Sequence, residues 1–214
     1  MKPINLLAVL TVVAGLIAGC SSTGYEKAGG TSTSLQKAAQ GIDKGNAQID
    51  VVMAALSDLV NNPGADLKKQ FKKFNAALDD LQSLAKDVGG KAGDMQAEGT
   101  AYFKQWDKDL AKIQNEDIRN RSSERKSAVS ARFERVKANY GQVKTDFAPF
   151  MSDLKDIRTA LAADLTVGGL GAVKGAASKA NQDVLPLRES IGKLSADFKE
   201  LGVSLSAKTP QPAK

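Results

Sequence analysis

The 214-residue sequence has no histidine and a single cysteine, Cys20. Without histidine the chain lacks the one side chain that titrates near neutral pH of its own accord, and with it the commonest metal ligand. A lone cysteine excludes an intramolecular disulfide, so packing must hold the fold. Aromatic residues make up 5% of the chain, with one tryptophan, too few for a surface on which successive nucleobases stack. Beyond residue 19 every apolar run is broken by charge, so none offers the roughly 20 residues of a bilayer span. No stretch alternates apolar and polar residues as a half-buried strand does.

The apolar residues that are present fall into two patterns. The first is the N-terminus, MKPINLLAVLTVVAGLIAGC. Lys2 gives a positive start, Leu6 to Ile17 is almost wholly apolar, and Gly19 and Cys20 close the run with small side chains. That is the layout of a secretory signal peptide, here residues 1–19. The closing Ile17, Ala18, Gly19 and Cys20 resemble a bacterial lipobox, in which the thiol takes a diacylglycerol and the amine freed by cleavage is also acylated. Two or more acyl chains make a stable anchor where one binds only marginally. The only prosthetic group expected is therefore covalent lipid on Cys20. Ser21 follows it, and by resemblance to Gram-negative lipoproteins a residue other than Asp there implies the outer membrane. Residues 20–33 are small and polar and are expected to form a lipidated flexible tether.

The second pattern runs through the rest of the chain. Apolar residues recur at alternating steps of three and four, the seam of a coiled coil or bundle helix. Four helices are predicted: about 34–60, about 66–113, about 119–163 and about 172–203, within a helical coiled-coil bundle at 34–203. Asn61-Asn62-Pro63-Gly64 ends the first. The second contains Gly89, Gly90 and Gly93, yet the seam keeps its phase from Val88 to Met95, which predicts one soft helix instead of two. Pro149 and Pro186 are expected to bend the third and fourth. TVGGLG at 166–171 reads as a turn, and 204–214, ending in Lys214, as a disordered tail. Short connections make neighbours antiparallel. The expected fold class is all-α: an elongated antiparallel four-helix bundle or coiled coil, two central helices longest, with part of the central hairpin projecting as a two-helix arm.

Chemistry-bearing motifs are weak. Ser-x-x-Lys occurs five times without the motifs that accompany it in penicillin-binding proteins. GGLGAVKG at 168–175 lacks both the Gly-Lys-Ser/Thr ending and the preceding strand of a phosphate loop. The carboxylate pairs Asp79-Asp80 and Glu116-Asp117 have no His or Cys beside them and give no metal signature. Arginine is the exception. Five of the seven arginines, Arg119, Arg121, Arg125, Arg132 and Arg135, open the third helix. Arg121, Arg125, Arg132 and Arg135 share a stripe flanking the seam. It reads either as a partner or anion contact, since guanidinium clamps carboxylate and phosphate with two donors, or as ion pairs with acids on neighbouring helices. The second reading is favoured, because coiled coils flank their seams in this way. Tyr102 and Trp106 fall on the seam and are expected in the core.

Several segments together resemble a known family. They are YEKAG at 25–29, YFKQWDKDLAKIQNEDIRNRSSERK from Tyr102, ARFERVKANYGQV from Ala131 and FAPFMSDLKDIRTAL from Phe147. They are similar to an uncharacterised proteobacterial lipoprotein family catalogued as a domain of unknown function. The resemblance implies the anchor and the helical body, and brings no activity or site residues. The expectation is a non-enzymatic outer-membrane lipoprotein on the periplasmic face. It would be held to the membrane by its lipid and act as a structural or adaptor component through a protein partner or self-association. Neither nucleic acid nor a small-molecule substrate is expected. A lipid- or lipopolysaccharide-binding protein using the basic strip is the alternative.

Overall fold

The computed structural model describes residues 24–205. Residues 1–23, which include Cys20 and the expected signal peptide, and residues 206–214 lie outside the described residues. Four helices follow one another: α1 Gly24–Asn61, α2 Leu67–Leu110, α3 Glu116–Ala163 and α4 Val167–Leu205. The two central helices are the longest, at 44 and 48 residues. At about 1.5 Å per residue α3 spans ~70 Å. Each helix packs against its two neighbours in a ring, with α2 and α3 in the sparsest contact. Every neighbouring pair is antiparallel. Gln48 reaches the Ala77 carbonyl from α1 to α2, Lys179 pairs with Asp153 from α4 to α3, and Ser195 meets Asp43 from α4 to α1.

The heptad seam becomes the core. Leu35, Ile42, Ile49, Val52, Leu56 and Leu59 of α1 are buried, as are Phe74, Leu78, Leu81 and Met95 of α2. Val129, Phe133, Phe150, Leu154 and Leu161 meet them from α3, and Ala180, Leu187, Leu194 and Leu201 from α4. Leu, Ile and Phe side chains removed from water stabilise by about 1.5–3 kcal/mol each, so one continuous apolar seam accounts for a bundle without disulfides.

The turns show why the helices end where they do. Asp66 caps α2 by accepting from the Lys69 amide at 3.0 Å. Gln70 ties the turn before it: its amide donates to the Asp58 and Asn62 carbonyls, and its carbonyl accepts from Gly64. Asn115 caps α3, accepting from the Ile118 amide at 3.1 Å, with Glu116 and Asp117 in the first turn where the helix dipole favours acids.

Five boundaries differ from the sequence reading by two or more residues; α2 ends at Leu110 and α3 starts at Glu116, each three residues before the expected position. The helix α1 starts at Gly24, so residues 24–33 are helical and not a flexible tether. Their composition hides the seam, because the buried position four before Leu35 is Thr31. Its hydroxyl is satisfied by donating to the Lys27 carbonyl at 2.9 Å. The segment TVGGLG is not a turn from end to end. Thr166 lies just before α4 and its hydroxyl accepts from the Gly169 amide, so the glycines from 168 lie inside the helix. Gly169 is required there, since a Cβ would fall 2.0 Å from the Asp164 carbonyl oxygen. The helix α4 also continues to Leu205, two residues into the expected tail.

The extended α1 corrects the expected arm as well. With Ser34 bonded to Glu98, the ten residues before Ser34 run alongside α2 toward its end. Arg125 reaches the Ser204 carbonyl at 2.7 Å. Only the loop at 111–115 and the first turns of α3 extend past the last described residues of α4. The glycines at 89–93 do not break α2. α3 and α4 run through Pro149 and Pro186; both prolines lie on the solvent face, where water can take the freed carbonyls.

Candidate functional site: the arginine strip and the hairpin tip

The start of α3 carries the sequence-predicted residues, and α4 supplies partners that local sequence does not suggest. The Arg135 Nε donates to Asp197 at 2.9 Å, and its terminal nitrogen donates to Glu200. Arg132 pairs with the other oxygen of Glu200 at 2.9 Å. Asp197 is nearly buried and also accepts from Asn139. The hydrogen bond Arg135 donates to Asp197, with the charges of Asp197 and Glu200, pushes its guanidinium up from its already high value. Arg125 is spent on the Ser204 carbonyl and Arg119 on the Ile113 carbonyl at 3.2 Å, which closes the hairpin loop. Arg121 pairs within its own helix with Asp117 at 3.1 Å, both well exposed, a geometry contributing ~0–1 kcal/mol.

The strip is thus one face of a clasp between α3 and α4. Of the four predicted contact residues, Arg132 and Arg135 come together on Glu200. Arg125 sits at the far end of the same interface, and Arg121 stands apart. A planar guanidinium with its donors already on carboxylates has little left for an incoming phosphate. Asp107, Asp109 and Glu116 lie shortly before the strip in sequence. Of these, Asp107 pairs with Lys126 and Asp109 with Lys112, while the arginines use Asp117, Asp197 and Glu200.

Beside the strip the aromatic residues pack inward. Tyr102 packs with tilted rings, its centroid 5.2 Å from that of Phe103 and 5.4 Å from that of Trp106, and Phe103 meets Phe133 edge-on at 5.5 Å. The Trp106 indole donates to the Ser122 hydroxyl at 3.1 Å across the hairpin. Burial pushes the Tyr102 phenol up, partly offset by the nearby Arg125 charge. Gly99 makes the approach possible, because a Cβ there would sit 2.2 Å from the Phe133 ring.

Among the described residues no group of three or more His, Cys, Asp or Glu side chains converges as metal ligands do. No described helix is long and apolar enough to cross a membrane. Sequence reasoning missed one feature, an apolar crevice between α2 and α3. Its signal was present in the small residues Gly45 and Ala85 standing at seam positions.

The fold therefore defines an all-α protein, an antiparallel four-helix bundle with coiled-coil seams and an ion-paired exterior. The family model described as "Protein of unknown function (DUF2959)" matches residues 18–199, and the chain belongs to that family. No curated protein and no solved structure matches it significantly.

Proposed function

We propose that this protein is an outer-membrane lipoprotein, anchored by acyl chains on Cys20, whose periplasmic helical body is a structural or adaptor component of the cell envelope without catalytic activity. The observation that carries the reading is the apolar run closed by Ile17-Ala18-Gly19-Cys20 directly ahead of the body. The form of the body supports it: a helix of ~70 Å suits a spacer or a scaffold better than a pocket enzyme. Its described arginines all have partners within the bundle, which favours contacts along helix faces over guanidinium clamping of lipid phosphates. Scattered exposed apolar residues, Val51, Ile118, Leu185 and Val203, give a partner or a second copy places to pack.

The test is metabolic labelling with radioactive palmitate in a Gram-negative host, followed by separation of the two membranes on a density gradient. Label is expected on the wild-type chain in the outer-membrane fraction and absent from Cys20→Ala. An unlabelled wild-type chain, or a labelled chain confined to the inner membrane, would overturn the proposal.

A further inference from the structure

The seam is filled along most of the bundle, but not at its middle. There Gly45 of α1 stands between Ile42 and Ile49, and Ala85 of α2 between Leu81 and Val88, so two seam positions carry small residues. The space they leave is a cavity of about 90 Å³, reached by all four helices and open to solvent where α2 and α3 barely touch. Its floor is aliphatic, from Ile42, Ile49, Leu187 and Ile191. A Cβ on Gly45 would meet nothing within 4 Å, so this glycine is not there to let another helix approach. It leaves room.

The mouth has a different chemistry. Tyr140 and Lys144 line it from α3, four residues apart and therefore on the same helix face. Among the described residues Lys144 has no carboxylate partner and the Tyr140 hydroxyl has no hydrogen-bond partner. That hydroxyl lies 3.8 Å from where a side chain on Gly89 would begin, so the bare backbone of α2 leaves it space. The Tyr140 phenol, which burial pushes up from its ordinary value near 10, is a proton donor at neutral pH in any case. Two acids adjacent in sequence to the lining are engaged elsewhere: Asp87 by Lys91 at 2.6 Å and Asp146 by Gln142 at 2.8 Å. An apolar slot with one free cation and one free hydroxyl at its lip matches an amphiphile with two acceptor oxygens on its head.

We propose that this crevice binds a single-chain carboxylate amphiphile of the fatty-acid class, its tail in the cavity and its carboxylate between Lys144 and Tyr140. A dry cavity of about 150 Å³ accepts benzene, so the enclosed part here takes the last few carbons of a chain and the open groove takes the rest. The site is separate from the arginine strip, and the inference does not depend on the adaptor role.

The test is equilibrium dialysis of radiolabelled decanoate and decanol against the full chain carrying Cys20→Ser, so that no acyl chain of its own competes. Three variants are compared: Gly45→Leu, Ala85→Leu and Lys144→Gln. Gly45→Leu removes a helix-weakening glycine worth ~1 kcal/mol while filling the slot, and thermal unfolding checks that each variant is folded. Decanoate is expected to bind saturably, with each folded filling variant losing both ligands. Lys144→Gln is expected to weaken decanoate about two- to fivefold and leave decanol unchanged. No saturable decanoate binding to the parent chain, filled variants that bind as before, or a Lys144→Gln effect equal on both ligands would each overturn the proposal.

Discussion

Two glycines of α2, six residues apart, should respond to alanine with opposite signs. Gly99 faces α3, where a Cβ would lie 2.2 and 2.3 Å from two carbons of the Phe133 ring and 3.0 Å from a third. That ring is 2% exposed and is held by Phe103, so it has nowhere to turn, and relief requires α2 and α3 to move apart. Overpacking of this kind costs about 1–3 kcal/mol, and three ring carbons in conflict put Gly99→Ala at the upper end. The helix-propensity gain of ~1 kcal/mol offsets only part of it. A net loss of about 1–2 kcal/mol follows. Gly93 is exposed, with nothing within 4 Å of its Cβ, so Gly93→Ala should gain roughly 0.5–1 kcal/mol. The two variants would then differ by about 2–3 kcal/mol, or on the order of 5–10 °C in Tm for a chain of this size. Urea and thermal unfolding followed by circular dichroism measure both. Combining Gly99→Ala with Phe133→Leu should cost less than the sum of the single changes, as expected of side chains in direct conflict. If Gly99→Ala proved as stable as Gly93→Ala, the close approach of α2 and α3 at the aromatic cluster would be refuted.

Removing the α3 cap with Asn115→Ala should cost ~1 kcal/mol, seen as a lower urea midpoint at unchanged slope; no shift would mean the Ile118 amide finds another acceptor. Phe150 is fully buried, and Phe150→Ala should cost about 3–5 kcal/mol, read from the same unfolding curves. Alkaline titration tests the buried phenols. Burial raises Tyr102 and Tyr140, so the folded state holds these protons more tightly than the unfolded chain. Their contribution to stability is complete below the ordinary phenol value near 10, and is lost as pH rises through the higher folded values. Phenolate absorbance should therefore show two tyrosines of the native protein ionising later than in urea, and coincident curves would contradict the packing.

The seam was legible because a 3.6-residue period survives local interruptions. Leu35 to Leu59 and Val129 to Leu161 were readable as buried faces, and the phase across Gly89 to Gly93 was enough to keep α2 whole. The parts that were not legible share a physical cause. Thr31 is buried through a hydrogen bond to its own helix, so hydropathy alone makes residues 24–33 resemble a tether. Glycines near 168 look like a turn by composition, but Thr166 before them supplies a cap and Gly169 is demanded by close contact with Asp164. The arginine stripe was legible as a stripe, and Arg132 and Arg135 within it pair with acids of a neighbouring helix. Its partners Asp197 and Glu200 lie more than 60 residues along the chain, and identifying them needs the register of α4 on α3. The crevice needs that same information from all four helices at once, since no single small residue announces a cavity.

The most direct test of the adaptor reading is crosslinking in living cells, with photoreactive residues placed in turn at the exposed apolar positions Val51, Ile118, Leu185 and Val203. The account predicts a discrete protein adduct from at least one face, the same partner on repetition, and its loss when Cys20→Ala removes the anchor. Adducts to lipid alone, or none from any face, would contradict it.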